Sequence, residues 1–197
     1  MLIKLKKMKM KSFLKSEKGA SAIEAAFIMP FLFLLYFSLQ DLTALITFNR
    51  KITSTSATIS DTVAQRQSTI VRSDITDIFN SVGMIMQPTG AADVHVDVYG
   101  YRLNGAVVTQ RWKATNGGTP TCNAPDTTNF ASMMSASNDL VVSVTCMTYT
   151  PFVGPILGKN LLGSTSFLLN QQITSRPRGS TTLDCVTATG GSTLCTS

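Results

Sequence analysis

The sequence predicts an α+β fold: a long N-terminal helix whose first part crosses a membrane, then a short second helix and a small antiparallel sheet. Three observations carry this expectation. Residues 25–40, AAFIMPFLFLLYFSLQ, hold no charge, and apolar character returns after Asp41 as LTALITF before Arg50 and Lys51. Further on, Leu45, Phe48, Ile52, Ile59 and Val63 recur at gaps that place them on one helical face. After Pro88-Thr89-Gly90 the spacing changes to the alternation of strands.

The chain of 197 residues, 44% of them hydrophobic, has room for one ordinary domain with a modest core and an appendage. Its formal charge of +6 invites thoughts of nucleic acid until the charge is located. Residues 1–19 contain seven lysines (Lys4, Lys6, Lys7, Lys9, Lys11, Lys15, Lys18) and one acid, Glu17, and so carry the entire excess of +6. The rest of the chain is neutral, with ten basic and ten acidic side chains. A basic patch on a folded domain would steer phosphates, whereas lysines ahead of an apolar run hold that end at the cytoplasmic face. Membrane lipid, and no nucleic acid, is therefore the expected surrounding.

About 20 helical residues span a bilayer core, so the sixteen uncharged positions need flanking residues to complete one crossing. The expected segments are a basic leader at 1–19, a transmembrane helix at 20–50 and an exported helical region at 51–83. Two acids bracket the apolar run. A carboxylate at a membrane edge costs a few kcal/mol (order of magnitude) unless it is paired or reaches water. Asp41 is assigned to the outer interface. Glu24 stands at the start of the run, after the small residues Gly19, Ala20, Ser21 and Ala22.

The run KGASAIEAAFIMPFLFLLYF resembles the processing site of type IV prepilins, and more closely that of TadE-like proteins of the tight-adherence (Flp) pilus system. The resemblance covers about twenty residues of the chain. It implies that a prepilin peptidase cuts between Gly19 and Ala20, that Glu24 becomes the fifth residue of the mature chain with a role in assembly or docking, and that Pro30 interrupts the helix. Small residues suit an extended segment entering a membrane-embedded protease. Cleavage exposes an amine at Ala20, which in related pilins the glutamate of a neighbouring subunit is thought to neutralise. Low dielectric makes such a pair matter more than in water. Pro30 removes a backbone donor and clashes with the carbonyl of Ala26, so a kink rather than a stop is expected.

A secretory signal peptide also begins with positive charge and an apolar core, but its cleavage site should follow the core closely. The nearest candidate, Thr55-Ser56-Ala57, lies far beyond it.

In the exported part, residues 53–63 are rich in Thr, Ser and Ile, so packing rather than intrinsic propensity must hold the helix there. A second helix is expected at 73–83, with Ser73 as cap, Asp74 and Asp77 in the first turn, Gly83 as terminator, and Ile75, Ile78, Phe79 and Val82 as its apolar face. The β domain is placed at 92–176. Val94, Val96 and Val98 point one way, while Asp93, His95, Asp97 and Tyr99 point the other, read as a solvated face. Asn104-Gly105 suggests a type I′ hairpin turn, with a second strand over 106–114. A third strand is expected at 140–150 and a fourth at 166–176; both loosely resemble the later strands of TadE-like domains. Residues 115–138 and the Cys-containing tail 177–197 read as exposed.

Cys122, Cys146, Cys185 and Cys195 all lie on the exported side, where oxidising surroundings favour disulfides in one of three full pairings. The pairing expected is Cys122 with Cys146 and Cys185 with Cys195. Zinc lacks a CxxC spacing and has a single His, so no metal is expected. No GxSxG, HExxH or phosphate-cradling glycine loop is present, and neither enzymatic activity nor a cofactor is expected.

The resemblance thus implies a minor pilin or pseudopilin of the inner membrane, N-terminus cytoplasmic and C-terminal domain periplasmic. Its partners would be the prepilin peptidase, other pilins or pseudopilins and the inner-membrane pilus platform. Its work would be initiation, assembly or capping of a Flp-type pilus used in adhesion. The alternative is a membrane-anchored periplasmic binding or adhesion domain that never enters a filament.

Overall fold

The computed structural model describes residues 17–87, 93–134, 138–154, 165–187 and 195. Most of the leader, the Pro88-Thr89-Gly90 break and most of the end of the tail lie outside the described residues. The fold is α+β, a long apolar N-terminal helix followed by a small antiparallel sheet.

Helix α1 (Glu17–Ala64) has 48 residues and passes Pro30 without ending. At 1.5 Å per residue it is about 70 Å long. The transmembrane helix expected at 20–50 and the first part of the region expected at 51–83 are one element. In its Thr- and Ser-rich stretches the hydroxyls find partners by folding back on the preceding turn. Ser38, Thr43, Thr47, Thr53, Thr58 and Thr62 each donate to the carbonyl four residues earlier. Packing holds the helix: Ile52, Ile59 and Val63 are fully buried and Phe48 lies against them, as the stripe predicts.

Strand β1 (Thr69–Val71) leads into α2 (Arg72–Ile85). This helix differs from expectation at both ends. Val71, not Ser73, is its N-cap, with no side-chain cap bond, and it runs through Gly83 to a C-cap at Met86. Burial of Ile75, Phe79 and Val82 outweighs the local end signals. Strands β2 (Val94–Asn104) and β3 (Val107–Thr115), a helical turn α3 (Phe130–Met133), then β4 (Asp139–Tyr149) and β5 (Phe167–Ser175) follow. The sheet is antiparallel in the order β3-β2-β4-β5.

The hairpin turn is also a correction. Asn104 pairs with Val107, so Gly105 and Ala106 form the centre of the turn, and of these two only Gly105 has positive φ (64°). That is the pattern of a type II′ turn, not of a type I′ turn centred on Asn104-Gly105.

One face of the sheet, with Val94, Val96, Val98, Trp112, Val141 and Met147, forms a single core with α1 and α2. The other face, solvated by the sequence expectation, is covered as well. Tyr99, Tyr101, Leu140, Val142 and Val144 are buried beneath Phe130 and Met134. The segment read as an exposed loop at 115–138 is, over its residues 115–134, the cover of this second core, tied down by Cys122–Cys146. The tail differs too. Strand β6 (Asp184–Val186) pairs in parallel with β1, and Leu183, Cys185, Val186 and Cys195 are buried.

Candidate functional site

The N-terminal part of α1 leaves the domain bare. From Ile23 to Leu39 its large apolar side chains are exposed, and it is the one helix among the described residues long and apolar enough to cross a membrane. Gly19 and Ala20 lie inside this helix rather than in an extended segment. Glu24 follows about one turn after Ala20, exposed and without a partner among the described residues. Seventeen residues, or about 26 Å of helix, separate it from Asp41.

Asp41 ends the bare stretch. Its Oδ1 accepts the Phe152 N–H at 2.9 Å and its Oδ2 the Val153 N–H at 2.8 Å. The Tyr149 hydroxyl donates to the Asp41 carbonyl at 3.1 Å and approaches Oδ1 at 3.4 Å. Burial, then the nearby Asp41 charge, pushes the Tyr149 phenol above its ordinary value. The outer-interface position expected for Asp41 says nothing of these bonds. Their partners lie more than a hundred residues away, and no local pattern encodes them.

His95 and Asp97 are 7% and 1% exposed, so the polar alternation of β2 points into the second core rather than into water. Asp93 stands apart and exposed. One His95 ring nitrogen, Nδ1, meets the Gly118 carbonyl and the other, Nε2, meets Asp97 Oδ1 at 3.0 Å. Asp97 Oδ2 accepts the Tyr99 hydroxyl at 3.1 Å and lies 3.3 Å from Lys113 Nζ. Burial and the Asp97 charge raise the Tyr99 pKa; burial alone raises that of Tyr101. Both ring nitrogens of His95 are engaged, Nδ1 with the cover at Gly118 and Nε2 with Asp97 of the sheet itself. The charge on Asp97 is matched within the same cluster. Among the described residues no group of three or more His, Cys, Asp or Glu is placed to hold a metal ion.

At the opposite pole Arg102 grips Asp139 through two bonds of 2.6 Å and reaches Asp184 at 3.3 Å. Hydrogen bonding to Asp139 raises the Arg102 pKa further. Asp139 also accepts the Leu183 N–H at 2.8 Å, so one buried carboxylate joins the sheet to the C-terminal segment. The two disulfides are Cys122–Cys146 and Cys185–Cys195. The first fastens the cover to β4. The second joins β6 to Cys195, whose carbonyl accepts the Lys113 N–H of β3.

Two sets of residues thus stand out: Gly19, Ala20, Glu24 and Pro30 along the bare helix, and Asp41 with the 149–153 loop where that helix enters the domain. Comparison with family profiles, with curated proteins and with solved structures finds no match to this chain.

Proposed function

We propose that the chain is a TadE-like minor pilin or pseudopilin. In this reading a prepilin peptidase cuts between Gly19 and Ala20, residues 20–50 hold the product in the inner membrane, and the sheet domain lies in the periplasm. The product takes part in initiating, assembling or capping a Flp-type pilus used in adhesion. The observation that carries the reading is the bare apolar part of α1, which projects from a domain whose cores are filled without it. Burial of such a surface in lipid or against other pilin helices offsets its exposure, since apolar area is worth roughly 25 cal/mol per Å².

Cleavage changes the electrostatics of the segment. It removes the seven leader lysines and leaves an amine at Ala20, four residues before Glu24. Residues four apart share a helix face, so amine and carboxylate are presented together to a neighbouring subunit. At 4 Å such a pair is worth about 4 kcal/mol at an effective dielectric of 20, against about 1 kcal/mol in water. The bond to be cut lies in a helix and must unwind to enter the protease, which Gly19 makes less costly.

Replacing Glu24 by Ala tests the reading. The variant is expected to be processed and membrane-bound but defective in pilus formation. Unchanged piliation and unchanged partner binding would contradict the proposal. Recovery of the chain with sheared pili would place it in the filament, and its retention in membranes alone would make it an assembly accessory.

A further inference from the structure

Helix α1 passes from its bare part into the domain without a break. There is no linker between the two, and the Asp41 bonds to Phe152 and Val153 strap the loop after β4 to the turn where the bare stretch ends. That loop presents Phe152, 61% exposed, with its ring 5.1 Å from the ring of Phe37 on the bare helix. Beside it, Phe167 and Leu168 open β5, paired with Tyr149 and Thr148, and are exposed as well. Residues 149–154 and 165–169 contain no charged side chain. Among the described residues, the charge of α1 that adjoins this rim, Asp41, is already bonded to two backbone N–H groups. The far pole is different in character: Arg102, Arg111, Asp139 and Asp184 gather there, eight residues or about 26 Å along β2 from Val94. On the side of the sheet away from α1, Asp93 beside Thr119, Pro120, Met147 and Thr148 marks where the apolar rim stops.

We infer that this end of the domain, led by Phe152 with Phe167 and Leu168, is a lipid-contacting platform that rests in the interface of the bilayer α1 crosses. The platform rests on the reading that α1 spans a membrane, and goes beyond it by fixing how the domain sits. Because the rim is continuous with the span through the Phe37–Phe152 contact, any bilayer that ends near Asp41 meets it. Aromatic side chains favour that interfacial depth, and uncharged backbone bonded to Asp41 tolerates it. The domain is therefore seated on phospholipid in one orientation, with the β2–β3 hairpin pointing away from the membrane.

Full-length protein in phosphatidylcholine vesicles, with brominated lipid as quencher, tests this. Trp112, buried in the core, gives the same background in each variant. Leu32→Trp reports the span, Phe152→Trp the platform, and Val107→Trp the distal hairpin. The expected result is quenching of Leu32→Trp and of Phe152→Trp several-fold greater than that of Val107→Trp. Quenched Leu32→Trp with Phe152→Trp no more quenched than Val107→Trp would overturn the platform and leave the membrane span standing. The platform is likewise overturned if Phe152→Trp shifts to the blue without bromine quenching, because a protein neighbour then covers it. Failure to quench Leu32→Trp would overturn the span and the platform together.

Discussion

Gly100 of β2 and Trp112 of β3 face each other so closely that a methyl group on Gly100 would stand 2.1 Å from Trp112 Nε1. The indole lies where a side chain at 100 would be, and its N–H donates to the Leu183 carbonyl at 2.8 Å. A shift of register between Gly100 and Tyr101 bends the strand at the same place. One glycine thereby lets a single tryptophan connect β3 to the segment that carries β6.

Gly100→Ala is expected to force the indole aside and lose its bond to Leu183. Overpacking of this kind costs about 1–3 kcal/mol, with a further ~1 kcal/mol for the lost hydrogen bond. The urea midpoint, followed by the emission of Trp112, should fall accordingly. An unchanged midpoint would mean that the close approach is not maintained in solution.

Where α1 lies on β4 the contact is made by small polar residues. Ser56 donates to the Ser143 carbonyl at 2.9 Å, while the hydroxyls of Ser60, Ser143 and Thr145 are buried without a partner among the described residues. Removing a buried unsatisfied hydroxyl and keeping the volume should stabilise. Thr145→Val is therefore expected to raise stability by about 1 kcal/mol, read from the same unfolding curve.

Three tyrosines outside the bare helix have raised pKa values: Tyr99 and Tyr101 chiefly from burial, and Tyr149 from burial and then Asp41. A raised folded-state value means that the folded chain keeps protons which the unfolded chain releases. The stabilisation is complete below the ordinary value of 10.0 and is lost as pH rises through the folded values. Stability should then fall with pH above that point, by at most about 1.4 kcal/mol per pH unit for each tyrosine. Tyrosinate absorbance should appear together with unfolding, and Tyr99→Phe should make the alkaline decline shallower.

Much of the architecture can be read from local pattern. The uncharged run before Asp41 and the stripe from Phe48 to Val63 mark α1, and the alternation at Val94, Val96 and Val98 gives the inward face of β2. What the alternation could not reveal is that the opposite face is also covered. Its lid comes from a Thr-, Ser- and Asn-rich stretch in which Phe130, Met133 and Met134 give a single helical spacing, too short to mark an element. Strands β1 and β6, of three residues each, are too short for alternation to register. The Asp41 junction and the Arg102–Asp139–Asp184 cluster join residues far apart in the chain, so each partner looks like an ordinary surface charge until the fold brings them together.

The proposed processing site is the most local feature of all, and its consequence is the most direct to measure. N-terminal sequencing of the membrane-bound mature protein should begin at Ala20. A start beyond Phe48, or an intact Met1, would contradict the central claim that the leader is removed after Gly19 to leave Glu24 at the fifth position.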